Sequence, residues 1–488
     1  MKLVRRLLVA AAVIAAAGLE DGTRLLAQAP SLRAPAISGS WVSDEPPSLS
    51  PPESVEGTFV SDGAVEQPSP PTMPGSQAVA SDQAESMPEG CDPYEGGDYG
   101  AEEGGNAGGF EYGNLWADVH ECRKGWARFE ALSWKADGNS LPALVTTSPV
   151  GTPQDQAGVL PESVTTAILF GNEEVDTGER TGSRLSAGYW LEEGQFTGIE
   201  GHYLRLEQAS TNFFANSTFS DGTLDDAILA RPFFNADVAL QDSFFVAFPD
   251  FSLGGVLVDV DGSIDIRTTS EIESAGIGGR KLLWIDFNQK YRVDVIGGYR
   301  FFSLRDSVTI NDSLTTVGGV LAETRFDSTD EFAAKNRFHG GEIGMVGQIH
   351  RGRFSLELLG KVALGNNTEN VRINGVNSIT TLGTTITTPG GLLTQPTNIG
   401  EFERDRFCIL PEGSANLRFD LTKNLRASLG FTVINLSRVI HSGRQIDLAL
   451  NPTQVNGGTL VGEARPAFAF QEENFWMSGT NASLEWRF

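Results

Sequence analysis

The sequence predicts an all-β chain: an antiparallel up-and-down transmembrane β-barrel of about 10 strands, with 12 possible, preceded by a disordered acidic segment. Three observations predict it. From Trp126 onward, apolar and polar residues alternate, the period of a strand with one dry face. The connections alternate short and long, which places tight turns at one end and long loops at the other. Aromatic residues, Trp126, Trp134, Tyr189, Tyr203, Tyr291, Tyr299, Trp476 and Trp486, recur near strand ends, where a membrane girdle needs them.

Residues 1–29 read as a signal peptide. Lys2, Arg5 and Arg6 precede an apolar run, Leu7 to Leu19, that is short of the roughly 20 residues of a spanning helix. Small-residue cleavage sites follow at Ala15-Ala16-Ala17 and Ala27-Gln28-Ala29. Residues 30–122 are rich in Pro, Gly and Ser and carry 17 Asp and Glu against the single Arg33, a net charge of −16 out of −27 for the 488-residue chain. Such a stretch buries too little apolar surface to offset its ordering entropy, so it reads as a disordered spacer, placed in the periplasm. The acidity also argues against nucleic-acid binding, which needs basic surface. Cys91 and Cys122 flank a Gly-rich acidic loop and are a possible disulfide in an oxidising compartment, while Cys408 stands alone in a strand as a small apolar residue.

The barrel, 123–488, is read in order. Trp126 to Trp134 is a first strand, followed by a long connection from 137 to 181. Gly182 to Glu207 is a hairpin turning at Glu192-Glu193-Gly194, with Leu185, Ala187, Tyr189 and Leu191 on one face. Residues 208–262 read as a long loop whose paired phenylalanines, Phe213-Phe214, Phe233-Phe234 and Phe244-Phe245, pack on one another. Three more hairpins turn at Asn288-Gln289, Arg351-Gly352 and Thr422-Lys423-Asn424, separated by a Thr/Gly-rich loop at 375–400 and a loop at 445–472 before the last strand. Several strands reach about 20 residues where spanning takes only about 9–11, so the wall projects beyond the bilayer on the long-loop side. A soluble β-sandwich gives the same alternation, and the terminal aromatics favour the barrel.

No constellation points to catalysis, a cofactor or a metal. His120, His202, His339, His350 and His441 show no ligand spacing. His441-Ser442 alone is no triad, and Gly276-Ile277-Gly278-Gly279-Arg280-Lys281 lacks phosphate-loop spacing. The charges opposite the apolar face are the candidate lumen-lining residues: Arg184, Glu200, Asp294, Arg300, Glu357, Lys361, Arg418 and Glu485. Their mixed signs fit either a salt-bridged plug or a narrow pore. In the last strand Leu484, Trp486 and Phe488 share one face, a candidate signal for the barrel assembly machinery.

Trp126-x-Arg128-x-Glu130-x-Leu132-x-Trp134, LPALVTTSP, TAILFGNEEV, GSRLSAGYWL and GIEGHYLRLE resemble the type-7 β-barrel porin family, found largely in planctomycete bacteria. The resemblance runs from about Trp126 to Phe488 and implies an outer-membrane barrel with no catalytic residues to carry over. The expectation is thus a non-enzymatic barrel in a Gram-negative outer membrane, in contact with its lipid, acting as a porin-like channel for small solutes. The alternative is a structural or surface-interaction barrel working through its long loops. An outer-membrane hydrolase is the third class.

Overall fold

The computed structural model describes residues 123–488, apart from 221–222, 225–226, 254–255 and 318–322. The targeting segment, the acidic spacer and both Cys91 and Cys122 lie outside the described residues. The wall consists of β1 (Gly125–Ala136), β2 (Glu179–Trp190), β3 (Thr197–Leu206), β4 (Ala209–Ser217), β5 (Val256–Ile285), β6 (Tyr291–Val317), β7 (Arg325–Arg351), β8 (Phe354–Thr381), β9 (Gly400–Asp420), β10 (Leu425–Ile440) and β11 (Glu472–Arg487). β3 and β4 lie end to end along β5 and count as one stave, so ten staves form the ring. Every neighbouring pair is antiparallel. The ring closes at β1, where Arg128 faces Ser186 of β2 on one side and Glu485 of β11 on the other. Gly125 and Phe488 seal the rim by exchanging two N–H···O bonds of 2.9 Å.

Alternation becomes sidedness. In β11, Ser483, Glu485 and Arg487 are buried inside while Leu484 and Trp486, and Phe488 just after the strand, are more than half exposed outside. Leu185 and Tyr189 on β2, Ile343 and Met345 on β7, and Leu429 and Phe431 on β10 are likewise exposed on the outer face. Together these residues make an apolar belt at the short-turn end. Its far edge is marked stave by stave by outward charges: Arg205 after Tyr203, Glu273 before Ala275, Arg305 after Phe301, Arg337 before His339 and Asp405 before Phe407. No helix among the described residues is long and apolar enough to cross a membrane. β5 runs 30 residues and β6, β7 and β8 run 27, 27 and 28. At about 3.3 Å per residue these exceed a belt of roughly 25 Å even when tilted, so the wall stands well clear of it on the long-connection side.

Two expectations change. Residues 208–262 are largely strand. β4 extends the wall, and Ile228–Asn235 pairs with Leu240–Leu253, with Val145–Ser148 and, in parallel, with Ala449–Leu450. These pieces cap the long-connection end over a core that includes Phe233, Phe244, Phe245, Ile266, Ile310 and Phe332. Phe213 stacks on Phe170, whereas Phe214 is exposed. Part of the Thr/Gly-rich loop is strand as well: Thr384–Pro389 folds back on the end of β8. The 137–181 connection holds short cap strands and adds no stave, so the ring has ten.

The second change concerns the aromatics. Trp126 and Trp134 are not girdle residues. They share parity with Arg128 and Glu130, so they face the interior, and Trp134 is fully buried. Gly188 makes room for Trp126, because a Cβ there would lie 2.6 Å from the indole.

Candidate functional site: the filled lumen

All eight lumen candidates from the sequence project inward. Six are buried, Lys361 is half-buried with its side chain 6% exposed, and Glu200 is partly exposed beside Arg280 at 3.6 Å. Glu130, Glu342 and Glu412 join them as partners. In the middle tier, Arg184 grips Glu130 through two bonds of 2.5 and 2.9 Å. Glu412 lies 3.6 Å from Arg184, 2.9 Å from Arg300 and 3.3 Å from Lys361, while Lys361 also reaches Glu342 at 3.1 Å. Asn481 donates to Glu130 at 3.1 Å and to Asn416 at 3.0 Å. Three carboxylates meet three cations here, so the tier is balanced in charge around a cavity of about 90 Å³. Breaking one such buried pair leaves the other charge stranded, at a cost of about 3–5 kcal/mol.

Nearer the short turns lies an arginine-rich tier. Asp294 takes Arg280 and Arg292 at 2.6 and 2.9 Å. Glu485 takes Arg128 at 2.6 Å and approaches Arg426 at 3.6 Å. Glu357 pairs with Arg418 and lies 3.7 Å from Arg128. Asp420 holds both Arg426 and Arg487 at 2.7 Å.

Above the middle tier the interior turns apolar. Leu132, Trp134, Leu204, Ile272, Phe302, Phe338, Leu410, Ile434, Phe475 and Met477 converge from around the ring, each no more than 3% exposed. Cys408 is a free, buried thiol in this waist. Beyond it, the end of β10 bends inward and is held across the lumen. Asn336 donates to the Ile440 carbonyl at 2.8 Å and accepts from its N–H at 3.0 Å, and Asn367 donates to the Arg438 carbonyl at 3.1 Å.

His441 follows. Its Nδ1 lies 3.0 Å from Asp306, and Asp306 also accepts the Ser442 N–H at 2.5 Å. The Ser442 hydroxyl accepts from Asn139 at 2.9 Å. This cluster lies beyond the apolar belt. Burial opposes the imidazolium, yet Asp306, with Glu473 and Asp137 behind it, holds the His441 pKa above the usual range. In the cap, Arg231 is buried between Asp312 at 2.8 Å and Asp330 at 2.7 Å. Burial, against the pull of Arg231, pushes Asp312 up to about 6.

Leu484 and Trp486 lie on the lipid-facing side of β11 and Phe488 at its rim, where the Trp486 and Phe488 rings are 5.4 Å apart. Among the described residues, no group of three His, Cys, Asp or Glu is placed to hold a metal ion. The missed lumen residues were signalled in part. Arg128 and Glu130 share the alternation of β1, but Glu412 follows Pro411, where the apolar rhythm of β9 is broken.

Among solved structures the chain is similar to the outer membrane protease OmpT from Escherichia coli, at 9% identity and TM-score 0.35 over 75% of this chain and 97% of that one. It is also similar to the toluene transporter TodX of P. putida (9% identity, TM-score 0.18, 75% and 89% covered) and to a Pseudomonas aeruginosa FadL homologue (8%, 0.19, 76% and 92%). No curated protein matches the chain. The family described as "Putative beta barrel porin-7" matches residues 126–488, the whole of the ten-stave ring from β1 to the rim at Phe488. The chain is therefore a member of the beta barrel porin-7 family and an outer-membrane β-barrel.

Proposed function

We propose that this barrel is closed to through-passage in its resting form and works from its two ends, as a membrane-seated platform for its cap and its acidic spacer. One observation carries the reading: the waist, where Trp134, Phe302 and Phe338 are fully buried and Phe475 is 1% exposed. A side chain lining a water-filled path is wetted, and these are dry. A standing pore for small solutes, the first expectation from sequence, needs this waist to open. The same argument favours a non-catalytic protein, since His441 and Ser442 are buried and engaged by Asp306 and Asn139. Residues 1–29 then act as the export signal and 30–122 as a periplasmic spacer, with the short turns on the periplasmic side as in other outer-membrane barrels.

The test is planar-bilayer recording of the full chain. At about 100 mV the wild type is expected to show no steady conductance, and Phe302→Ala with Phe338→Ala to raise it by thinning the waist. Stable conductance steps in the wild type would restore the open-channel reading.

A further inference from the structure

The wall is not laddered all the way round. β9 pairs with β8 from Phe419 back to Gly400, and β10 pairs with β11 as far as Ile440. Between β9 and β10, however, pairing runs only from Asp420 to Glu412. From Gly400 to Pro411, roughly 40 Å of strand, that edge of β9 has no strand beside it among the described residues. Two residues explain the break. Pro411, the first unpaired position, has no N–H to donate to a ladder. On β10 the register shifts between Leu436 and Val439, and Arg438 takes a φ of 54°, in the left-handed region that residues other than glycine rarely adopt. Past that bulge β10 bends into the lumen.

Side chains close this gap in place of a ladder. The Ile409 N–H donates to Ser437 Oγ at 3.0 Å, the Arg438 guanidinium reaches the Phe407 carbonyl at 3.5 Å, and Cys408 Sγ lies 3.6 Å from the Arg438 carbonyl. Higher up, Arg404 lies over the Phe470 ring at 4.0 Å and shares Glu472 with Arg406, and Phe402 stacks on Phe468 at 3.8 Å. The two sides of the gap match in polarity. Outside it, Phe407 and Ile409 are exposed within the apolar belt. Inside it, Cys408, Leu410, Leu436 and Val439 belong to the apolar waist. At every other joint of the ring, paired strands separate belt from waist. A joint held by a few side chains opens locally at lower cost than a ladder, and release of Arg438 from its left-handed conformation favours opening. The Arg438 side chain is exposed and forms no ion pair among the described residues.

We infer that the gap between β9 and β10 is a lateral gate, through which an acyl chain of an anionic lipid in the surrounding bilayer reaches the apolar waist while its head group stays outside on Arg438. The belt supplies the occupant. What lies against Phe407 and Ile409 is acyl chain, and across the gap it meets a surface of its own polarity. A guanidinium at the edge of the belt gains more from an anionic head group than from hydrocarbon. A wall that parts sideways conducts nothing from end to end, so the gate and the closed waist stand or fall separately.

The experiment places the full chain in lipid nanodiscs with a trace of phosphatidylglycerol that carries a photoactivatable diazirine near the end of one acyl chain. Adducts are mapped residue by residue after illumination, with outward belt residues as the reference. Inward-facing Leu410 and Val439 are expected to reach about a tenth of the yield at Ile409, the level of a gate open as a minor state. Leu204 and Ile272, in the same waist on the opposite side of the ring, should stay unlabelled. The same probe on phosphatidylcholine is expected to give about threefold fewer inward adducts, and Arg438→Gln to abolish that difference. Should Arg438→Gln fail to fold, the two lipids compared in the wild type decide. Adducts confined to outward residues would overturn the proposal, because the wall is then sealed. Inward adducts that spread evenly to Leu204 and Ile272 would overturn it too, because the chains then enter from an end. Labelling of the other staves but not of Phe407 and Ile409 would overturn it in favour of a second copy covering this stretch of wall. Equal inward yields from the two lipids would overturn the assignment of the head group to Arg438.

Discussion

Single side chains decide whether the interior is wet or dry, and the most testable of them are the titrating ones in the upper lumen. His441 has a raised folded-state pKa, so its stabilising contribution is complete below the unfolded value and is lost as pH rises through the folded one. Asp312, raised from 3.8 to about 6, behaves with the same sign: its contribution fades as pH climbs through about 6. Amide exchange of residues 440–446, corrected for intrinsic rates, is therefore expected to be slower at about pH 5 than at about pH 8, and His441→Gln should flatten that dependence. A pH-independent opening rate would contradict the pairing. Little of this was readable beforehand, because His441 and Asp306 are 135 residues apart and no local pattern links them. The lumen charges were readable because they sit on every second position of long strands. Trp126 and Trp134 lie near strand ends, but their parity with Arg128 and Glu130 turns them inward, and parity outranks position along the strand.

A stave has two parts with different solvents outside them, and this predicts unequal tolerance along it. Leu429 is 69% exposed within the apolar belt of β10. Leu429→Arg is expected to cost about 2–4 kcal/mol in lipid vesicles. Thr309 lies on the outward parity of β6 beyond the belt, where Thr309→Arg should stay within about 0.5 kcal/mol. Urea unfolding in vesicles compares the two, and equal costs would mean that the belt is misplaced. At the end of the chain Leu484, Trp486 and Phe488 are each more than half exposed, so little burial is lost when one of them is replaced. We therefore expect Phe488→Ser to reduce insertion in cells more than refolding into detergent, the pattern of a residue read during assembly. Loss of detergent refolding would make it a structural residue instead. The hairpins were legible as elements because one face is dry and one wet. The cap strands were not: Ile228–Asn235 is buried on both sides, and with both faces dry the alternation that marks a strand disappears.

At the scale of the molecule, the lumen is a stack of unlike layers. An arginine-rich mouth, a balanced ionic tier, an apolar waist, a polar tier around Asp306 and a cap whose apolar core encloses the Arg231 ion pairs follow one another from the short turns outward. The ionic tiers are built from residues that the sequence shows as alternating charges. The waist, however, needs parity, register and closure together before Trp134, Phe302, Phe338 and Phe475 can be seen to converge. The sequence therefore indicates what lines the barrel and leaves a salt-bridged plug and a narrow pore side by side, while the apolar waist is not legible in it. Fluorescence quenching of buried tryptophan by a water-soluble quencher should be low from either side of a vesicle. Phe338→Ala should raise it before it lowers stability by about 3–5 kcal/mol. Strong quenching in the wild type would place water in the waist.

The seam between β1 and β11 sets the order of events when the protein is made. Arg128 and Glu485 are 357 residues apart in the chain, yet they bond directly across the closing edge. Until β11 has emerged, β1 has only one of its two neighbours and the open edge of the sheet stays exposed. Non-local pairing of this kind is slow, and such an edge recruits other strands. Closure at this seam is therefore the step that completes the ring, and an incomplete chain keeps that edge open.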